Sequence, residues 1–488
     1  MKKLESKSKS IFRISALLLV LAIGLCTGCK KEEENPSQEA SGDVKAGTFC
    51  VGYSRKEIEP SDSVPLGGYG NTLTRMSEGF IDGYIYTDCT AITGENGETI
   101  LLFVSDAIRQ AKAITESARI AISNATGVPK DHIYFNASHS HSTPDNTKTS
   151  YAAIQRYDEK WVEQMTKAAI EAMADRSEST MWTGTSNVQG LNFVRHYLLA
   201  DGTWAGDNFG HMDKSTPVAH ETDADTEMRG LCFKREGKKS ILLCNWQCHP
   251  HIWTKTNLNV SPDFVGWFRT EAENTIGDIY VDYVNGFGGN INERSSISGE
   301  MPPLDTKIYG GMLAEYAVDI YNSLKQAETG DVAILQERMT ANCDHSMDGL
   351  IVGARIVANQ WEATNDYDSC TKLANEYGLN SPYAASSVIS KASLPKSTDF
   401  EINAVRLGSV GFITVPFECY DTQGVFIREN SPFDFTLTIG YANESQGYLP
   451  AQISFDHGCY ERDTTNFEVG TAEKLASRLV EMLVELKK

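Results

Sequence analysis

Short, continuously apolar runs alternate along this chain with longer stretches in which apolar positions return every three or four residues. TILLFVS (99–105), HIYFNA (132–137), SILLCNWQC (240–248), IYVDYVNGF (279–287), VGFITV (410–415) and FTLTIGYA (435–442) are rich in β-branched and aromatic residues and predict buried strands. The intervening stretches predict helices. One opens at Asp158 and lines up Trp161, Val162, Met165, Ala169 and Met173. Another opens at Ser261-Pro262, turns Phe264, Val265, Phe268 and Ala272 inward, and stops at Gly277. A last one runs from Thr471 with Leu475, Leu479, Met482 and Leu486 on one face. The alternation predicts an α/β fold.

Polar outliers follow the ends of the predicted strands. His139 and His141 come after one, His249 and His251 after another, GGNINER after a third, Glu418 after a fourth, and Asn443 to Tyr448 after a fifth. Loops leaving the C-terminal ends of neighbouring strands converge on one crevice, so the shared placement predicts a single site. His139, His249 and Glu418 form a set that suits tetrahedral Zn2+ with a position left open for water. The HxH pattern alone fits hydrogen-bonded structural histidines equally well, and His251 competes with His249 for the role. HExxH and GxSxG are absent, LGSVG at 407–411 being a near miss, and HSHSTPD lacks the Asp-His that completes HxHxDH. A TIM-barrel amidohydrolase with HxH after its first strand stays open at this point. Asp106 reads as a helix N-cap, while His211, His220, His345 and His457 read as surface residues in loops.

A formal net charge of -21 argues against nucleic acid as a partner. GFGGN lacks the Lys-Ser/Thr of a phosphate-binding loop, which argues against nucleotides. The first residues carry another signal: Lys2, Lys3, Lys7, Lys9 and Arg13 precede ISALLLVLAIG, and Thr27-Gly28-Cys29 resembles a bacterial lipoprotein cleavage box. This predicts a signal peptide over 1–28, a lipidated Cys29 holding the protein on the outer face of a bacterial membrane, and a polar tether over 29–47. Leaving out Cys26 and Cys29, an odd number of cysteines remains with no CxxC pair, so no disulfide framework is indicated.

SHSHSTPDN resembles the THTHSGP motif of the neutral/alkaline, non-lysosomal ceramidases, and the resemblance continues in order. VGYSRKEIEPSDSVPLGGYG is similar to their opening segment, NFVRHYLLADGT to their Asn-Arg segment, NWQCHPHI to ATHPT, and ITVPFE to TVPGE. NESQGYLP with GCYERDTTNFEVGTAEKL resembles their Tyr-rich region ending in Tyr-Glu. Together these segments span residues 48–488 and liken them to the catalytic, N-terminal domain of that family. The resemblance implies mixed β-sheets flanked by helices and a Zn2+ held by His139, His249, Glu418 and Tyr448 at strand C-terminal ends. It implies His141 as a proton-transfer partner, and Arg195 and Tyr460 as contacts to a substrate carbonyl. The implied activity is zinc-dependent hydrolysis of an amide or ester bond in a small-molecule or lipid-like N-acyl substrate. One position departs from the family: Asn292 stands where the essential serine is expected, and an amide cannot become the nucleophile that a hydroxyl can. A metal-containing surface lipoprotein that binds without turnover is the competing reading. Residues 295–400 are the least interpretable part of the chain and are expected to hold insertions that cover the cleft.

Overall fold

The computed structural model describes residues 44–69 and 74–488. The expected signal segment, Cys29 and the tether up to residue 43 lie outside the described residues.

All six predicted strands form. A nine-stranded sheet runs in the order Ile279–Asn285, Ser240–Trp246, Glu227–Arg235, Ser177–Asn187, Cys50–Glu57, Tyr86–Thr93, Thr99–Ser105, Ile133–Ala137, with Lys325–Ala327 also paired to Ser177–Asn187. A four-stranded sheet orders Val332–Asn342, Ser397–Leu407, Val410–Thr414 and Phe435–Ile439. The two sheets face each other, with Val51, Leu102, Tyr134, Phe233 and Val284 of the larger meeting Val405, Phe412 and Leu437 of the smaller in one apolar layer. Helices cover both outer faces. Lys112–Thr126 and Ala152–Ala174 lie over one half of the large sheet, Phe264–Ile276 and Thr306–Ser323 over the other, and Thr471–Lys487 over the small one. The layers are helix, sheet, sheet, helix, and both sheets are open, which overturns the closed barrel of a TIM-type amidohydrolase.

The sheets are antiparallel except at three pairs: Thr99–Ser105 with Ile133–Ala137, Ser240–Trp246 with Ile279–Asn285, and Val410–Thr414 with Phe435–Ile439. A parallel pair needs a crossover, supplied here by Lys112–Thr126, Phe264–Ile276 and Asp421–Asn430 respectively. Each crossover carries the chain back, so both strands of a pair end on the same edge. That is how the sequence places its polar outliers together.

Several local expectations differ. The helix expected at Asp158 is Ala152–Ala174, because its buried stripe already includes Ile154 and Tyr157. The next helix, Phe264–Ile276, is capped by Asp263, whose carboxylate accepts from the Phe264 N–H at 2.7 Å; Ser261 instead accepts from Asp263 N–H. Asp106 caps no helix: it accepts from the Tyr86 N–H and pairs with Arg269 at 2.8 Å. His220 ends the strand Pro217–His220 and pairs with Glu300, while His457 ends the helix Gln452–His457 and pairs with Glu221, so neither is a free loop residue. The nine cysteines from Cys50 to Cys459 are free, buried thiols. Residues 295–400 include three helices, Ile351–Thr364, Tyr367–Glu376 and Pro382–Lys391, which pack around their own small core.

Candidate metal centre

The turn after Ile133–Ala137 carries the first two histidines. His139 sits at φ 70°, a left-handed conformation costly for a side chain with a Cβ and frequent at functional positions. Its N–H bonds Ala107 O and its Nδ1 bonds Ile108 O at 2.7 Å. His249 repeats the arrangement, its Nδ1 2.9 Å from Ile291 O. A nitrogen against a carbonyl carries a proton, so in the neutral form of each ring Nε2 is the lone-pair nitrogen, and it faces inward. These Nε2 atoms lie 3.2 and 3.4 Å from the same oxygen, Oε2 of Glu418, and His141 Nε2 is 3.4 Å from that of His139. Glu418 Oε2 is buried and receives no hydrogen bond. Burial, reinforced by Arg195, pushes His249 down to about 3. Burial and the neighbouring imidazoles His139, His251 and His249 likewise hold His141 well below its ordinary range. With both rings neutral, buried lone pairs face one another, an arrangement that a shared cation satisfies, and although burial works against it, His139 and His249 hold the Glu418 carboxyl well below the ordinary carboxylate range. The described residues fit a divalent metal ion.

Glu418 reaches this position by pairing in parallel with Tyr448, and the turn after Ile279–Asn285 presses against it from behind. A Cβ on Gly289 would come 2.3 Å from Glu418 O, so only glycine allows that approach. Arg195, buried, donates from Nε to Glu461 at 2.7 Å and pairs with it again through Nη2. Its Nη1 is left to face His249 Nε2 at 3.5 Å and Asn292 Oδ1 at 3.4 Å. Although burial works against its charge, Glu461 holds Arg195 well above the ordinary guanidinium range. The Arg195 guanidinium lies 5.5 Å over the ring of Tyr448, and the Tyr460 ring meets Tyr448 edge-on at 5.6 Å.

No family model matches the sequence, and no curated protein matches it. Two solved structures do match in shape. A ceramidase complexed with C2 superposes with a TM-score of 0.68 at 14% identity, covering 90% of this chain and 75% of that one. The neutral ceramidase from Pseudomonas aeruginosa gives a TM-score of 0.67 at 15% identity, covering 91% and 75%. This chain has the neutral ceramidase fold.

Within the ceramidase fold, the structure brings His139, His141, His249, Glu418, Arg195 and Asn292 into contact and sets Tyr448 and Tyr460 in the lining of the same cleft. His251 lies beside His141, ring centroids 5.1 Å apart, but its Nδ1 is turned to Glu293 at 2.6 Å rather than into the convergence. Asn292 is clamped: its amide donates to Asp207 at 2.6 Å and faces Arg195 through its oxygen. Asp207 gives no signal in the sequence, nor does Tyr383, which reaches the cleft from the 295–400 region, whereas Tyr69 belongs to the opening segment that resembles the family. Glu461 is visible as part of a Tyr-Glu pair, but its partnership with Arg195 is not. His196 lies between Glu461 at 2.7 Å and Glu221 at 3.0 Å. Burial opposes its charge, yet Glu461 and Glu221 raise it to about 9.

Proposed function

We propose that this protein is a zinc-dependent hydrolase of an amide or ester bond. The observation that supports this best is the convergence of His139 Nε2 and His249 Nε2 on an unshared oxygen of Glu418. These three groups would hold the ion, with Tyr448 as the fourth ligand that the ceramidase resemblance adds. When bound, Zn2+ supplies Lewis acidity, polarising a carbonyl and making water a stronger acid.

The chain's own groups divide the remaining work. Arg195 Nη1 presents a fixed donor to charge developing on a substrate carbonyl, and its other nitrogens are committed to Glu461, so it needs no reorganisation. His141, uncharged and with Nδ1 unpartnered, can take a proton and return it. Tyr460 borders the same space and can hold the carbonyl oxygen. Asn292 closes the route through a serine hydroxyl at that position, and this reading takes activated water as the nucleophile. A lipidated Cys29 would hold this chemistry at a membrane surface, and Cys29→Ala should move the protein into the soluble fraction.

The test is metal quantification on purified protein beside a panel of N-acyl and ester substrates. About one zinc per chain with turnover is expected, and both should vanish together in His139→Ala and Glu418→Ala. Full activity in a metal-free preparation would refute the proposal. Zinc without turnover on any substrate, with turnover restored by Asn292→Ser, would favour a binding protein.

A further inference from the structure

The cleft on the His139–Glu418 side, about 370 Å3, also borders His141, Tyr448 and Tyr460. Among its described lining residues only Leu66 and Ile108 are aliphatic, a poor match to long hydrocarbon chains. Its charge is also reversed against the rest of the molecule. The chain has 65 acidic residues to 44 Lys and Arg, yet Arg75, Arg109 and Lys148 all line this cleft. The two acids there are Glu418, turned to the histidines, and Asp145, whose Oδ1 accepts from the Thr147 N–H and hydroxyl and whose charge acts on Arg75, so three cations meet two carboxylates.

Arg75 is the informative member. It is 6% exposed, and among the described residues its guanidinium donates only to backbone carbonyls, those of Gly67, His141 and Asn257, with the Tyr69 ring 4.7 Å away. Its Nε has no partner, and no carboxylate pairs with it among the described residues. Burial pulls this guanidinium below its ordinary range, even though Tyr69 and the carboxylate of Asp145 work the other way. Arg109 and Lys148 line the same cleft, and among the described residues neither has a carboxylate partner. They are brought together because Asn146 Nδ2 donates to Arg109 O at 3.0 Å. Arg109 directly follows the carbonyl that orients His139, so an anion bound here lies next to the metal-binding groups.

We propose that the substrate is a small, hydrophilic N-acyl or O-acyl compound bearing an anionic group, a carboxylate or a sulfonate, phosphate or sulfate, close to the scissile bond. Arg109 and Lys148 bind that group, and Arg75 supplies the field beneath it. This rests on the hydrolase reading for turnover, whereas binding stands apart from it.

The probes are N-acetylglycine, N-acetyltaurine and the neutral N-acetylglycinamide, offered to zinc-loaded full-length protein. Turnover is followed by acetate release, and binding by ligand-observed NMR before product accumulates. One or both anions should bind at least about tenfold more tightly than the neutral amide. That ratio should fall to about one in Arg109→Gln/Lys148→Gln, with the loss of kcat/KM carried by KM. N-acetylglycine alone would identify a carboxylate site, and N-acetyltaurine alone a tetrahedral oxyanion site. Anion binding without hydrolysis of any probe would remove the hydrolase reading and leave this one standing. Equal binding of all three probes, binding of none, or anion binding unaffected by the double variant would overturn it.

Discussion

Asn285 is the side chain whose removal most directly tests how the site is assembled. It is fully buried at the end of Ile279–Asn285, and its Nδ2 donates to Ser138 O at 2.8 Å and Cys248 O at 3.2 Å. Those carbonyls immediately precede His139 and His249, so one amide fixes both histidine-bearing turns. Asn285→Leu keeps similar bulk and removes both donors. Cys248 O keeps the Tyr283 hydroxyl at 3.4 Å, so that bond is worth about 1 kcal/mol. Ser138 O has no other partner among the described residues, and leaving it dry costs about 2–3 kcal/mol. Asn285 Oδ1 is itself unpaired, and losing it offsets about 1 kcal/mol, for a net destabilisation of about 2–3 kcal/mol. Freed turns no longer hold the two Nε2 atoms on Glu418, so zinc affinity should fall about 10–100-fold, the range seen when supporting hydrogen bonds of metal ligands are removed. Guanidinium unfolding of metal-free protein measures the first quantity, and competition for zinc with a chromophoric chelator measures the second. A variant within about 0.5 kcal/mol of the parent, binding zinc within about twofold, would refute this account of the turns.

Other consequences follow from the same geometry. At φ 95°, Gly68 would place a Cβ 2.4–2.6 Å from atoms of His141, so Gly68→Ala should leave circular dichroism intact and lower turnover at least about tenfold; unchanged kcat would refute the contact. His196, raised to about 9 from an unfolded value near 6.5, contributes stability that is full below about pH 6.5 and lost as pH rises through 9. The contribution is roughly 3 kcal/mol, and unfolding from pH 7 to 9.5 should show a fall that His196→Gln abolishes. Asn292→Ser removes the amide joining Asp207 to Arg195 and should lower turnover of the native substrate at least about tenfold; equal turnover would show that the clamp is not needed.

The strands were legible because parallel strands buried on both faces need unbroken apolar runs, and TILLFVS or VGFITV can satisfy no other environment. The site was legible for a related reason: when parallel strands end on a common edge, the residues just beyond them must meet, whatever their separation in sequence. What could not be read is pairing. Nothing in NFVRHY says that Arg195 bonds Glu461 or that His196 lies between two carboxylates, since these partners meet only after both sheets close. The buried asparagines were hidden by the apolar runs that contain them. Asn136 and Asn245 bond backbone across the inter-sheet layer, to Gly440 O at 2.7 Å and Thr438 O at 3.0 Å, and so register the strand ends on which the site depends. The start of Ala152–Ala174 was misplaced because no side chain caps it, leaving only packing to set its first turn.

The polar groups behind the histidines form one connected series: Glu221, His196, Glu461, Arg195, Asn292 and Asp207, each bonded to the next. With His196 protonated, charge alternates from acid to base as far as Arg195, so each buried ion has a partner and the desolvation cost is met locally. Asn292 is the neutral joint that separates Arg195 from the last acid, Asp207. Were that joint missing, Asp207 would have the guanidinium as its nearest cation and could take Nη1, the one donor still facing His249. A side chain that both donates and accepts can prevent this by occupying the two partners at once, Asp207 through Nδ2 and Arg195 through Oδ1. On this argument Asn292 preserves the donor that a hydrolytic site requires, even though it cannot act as a nucleophile itself.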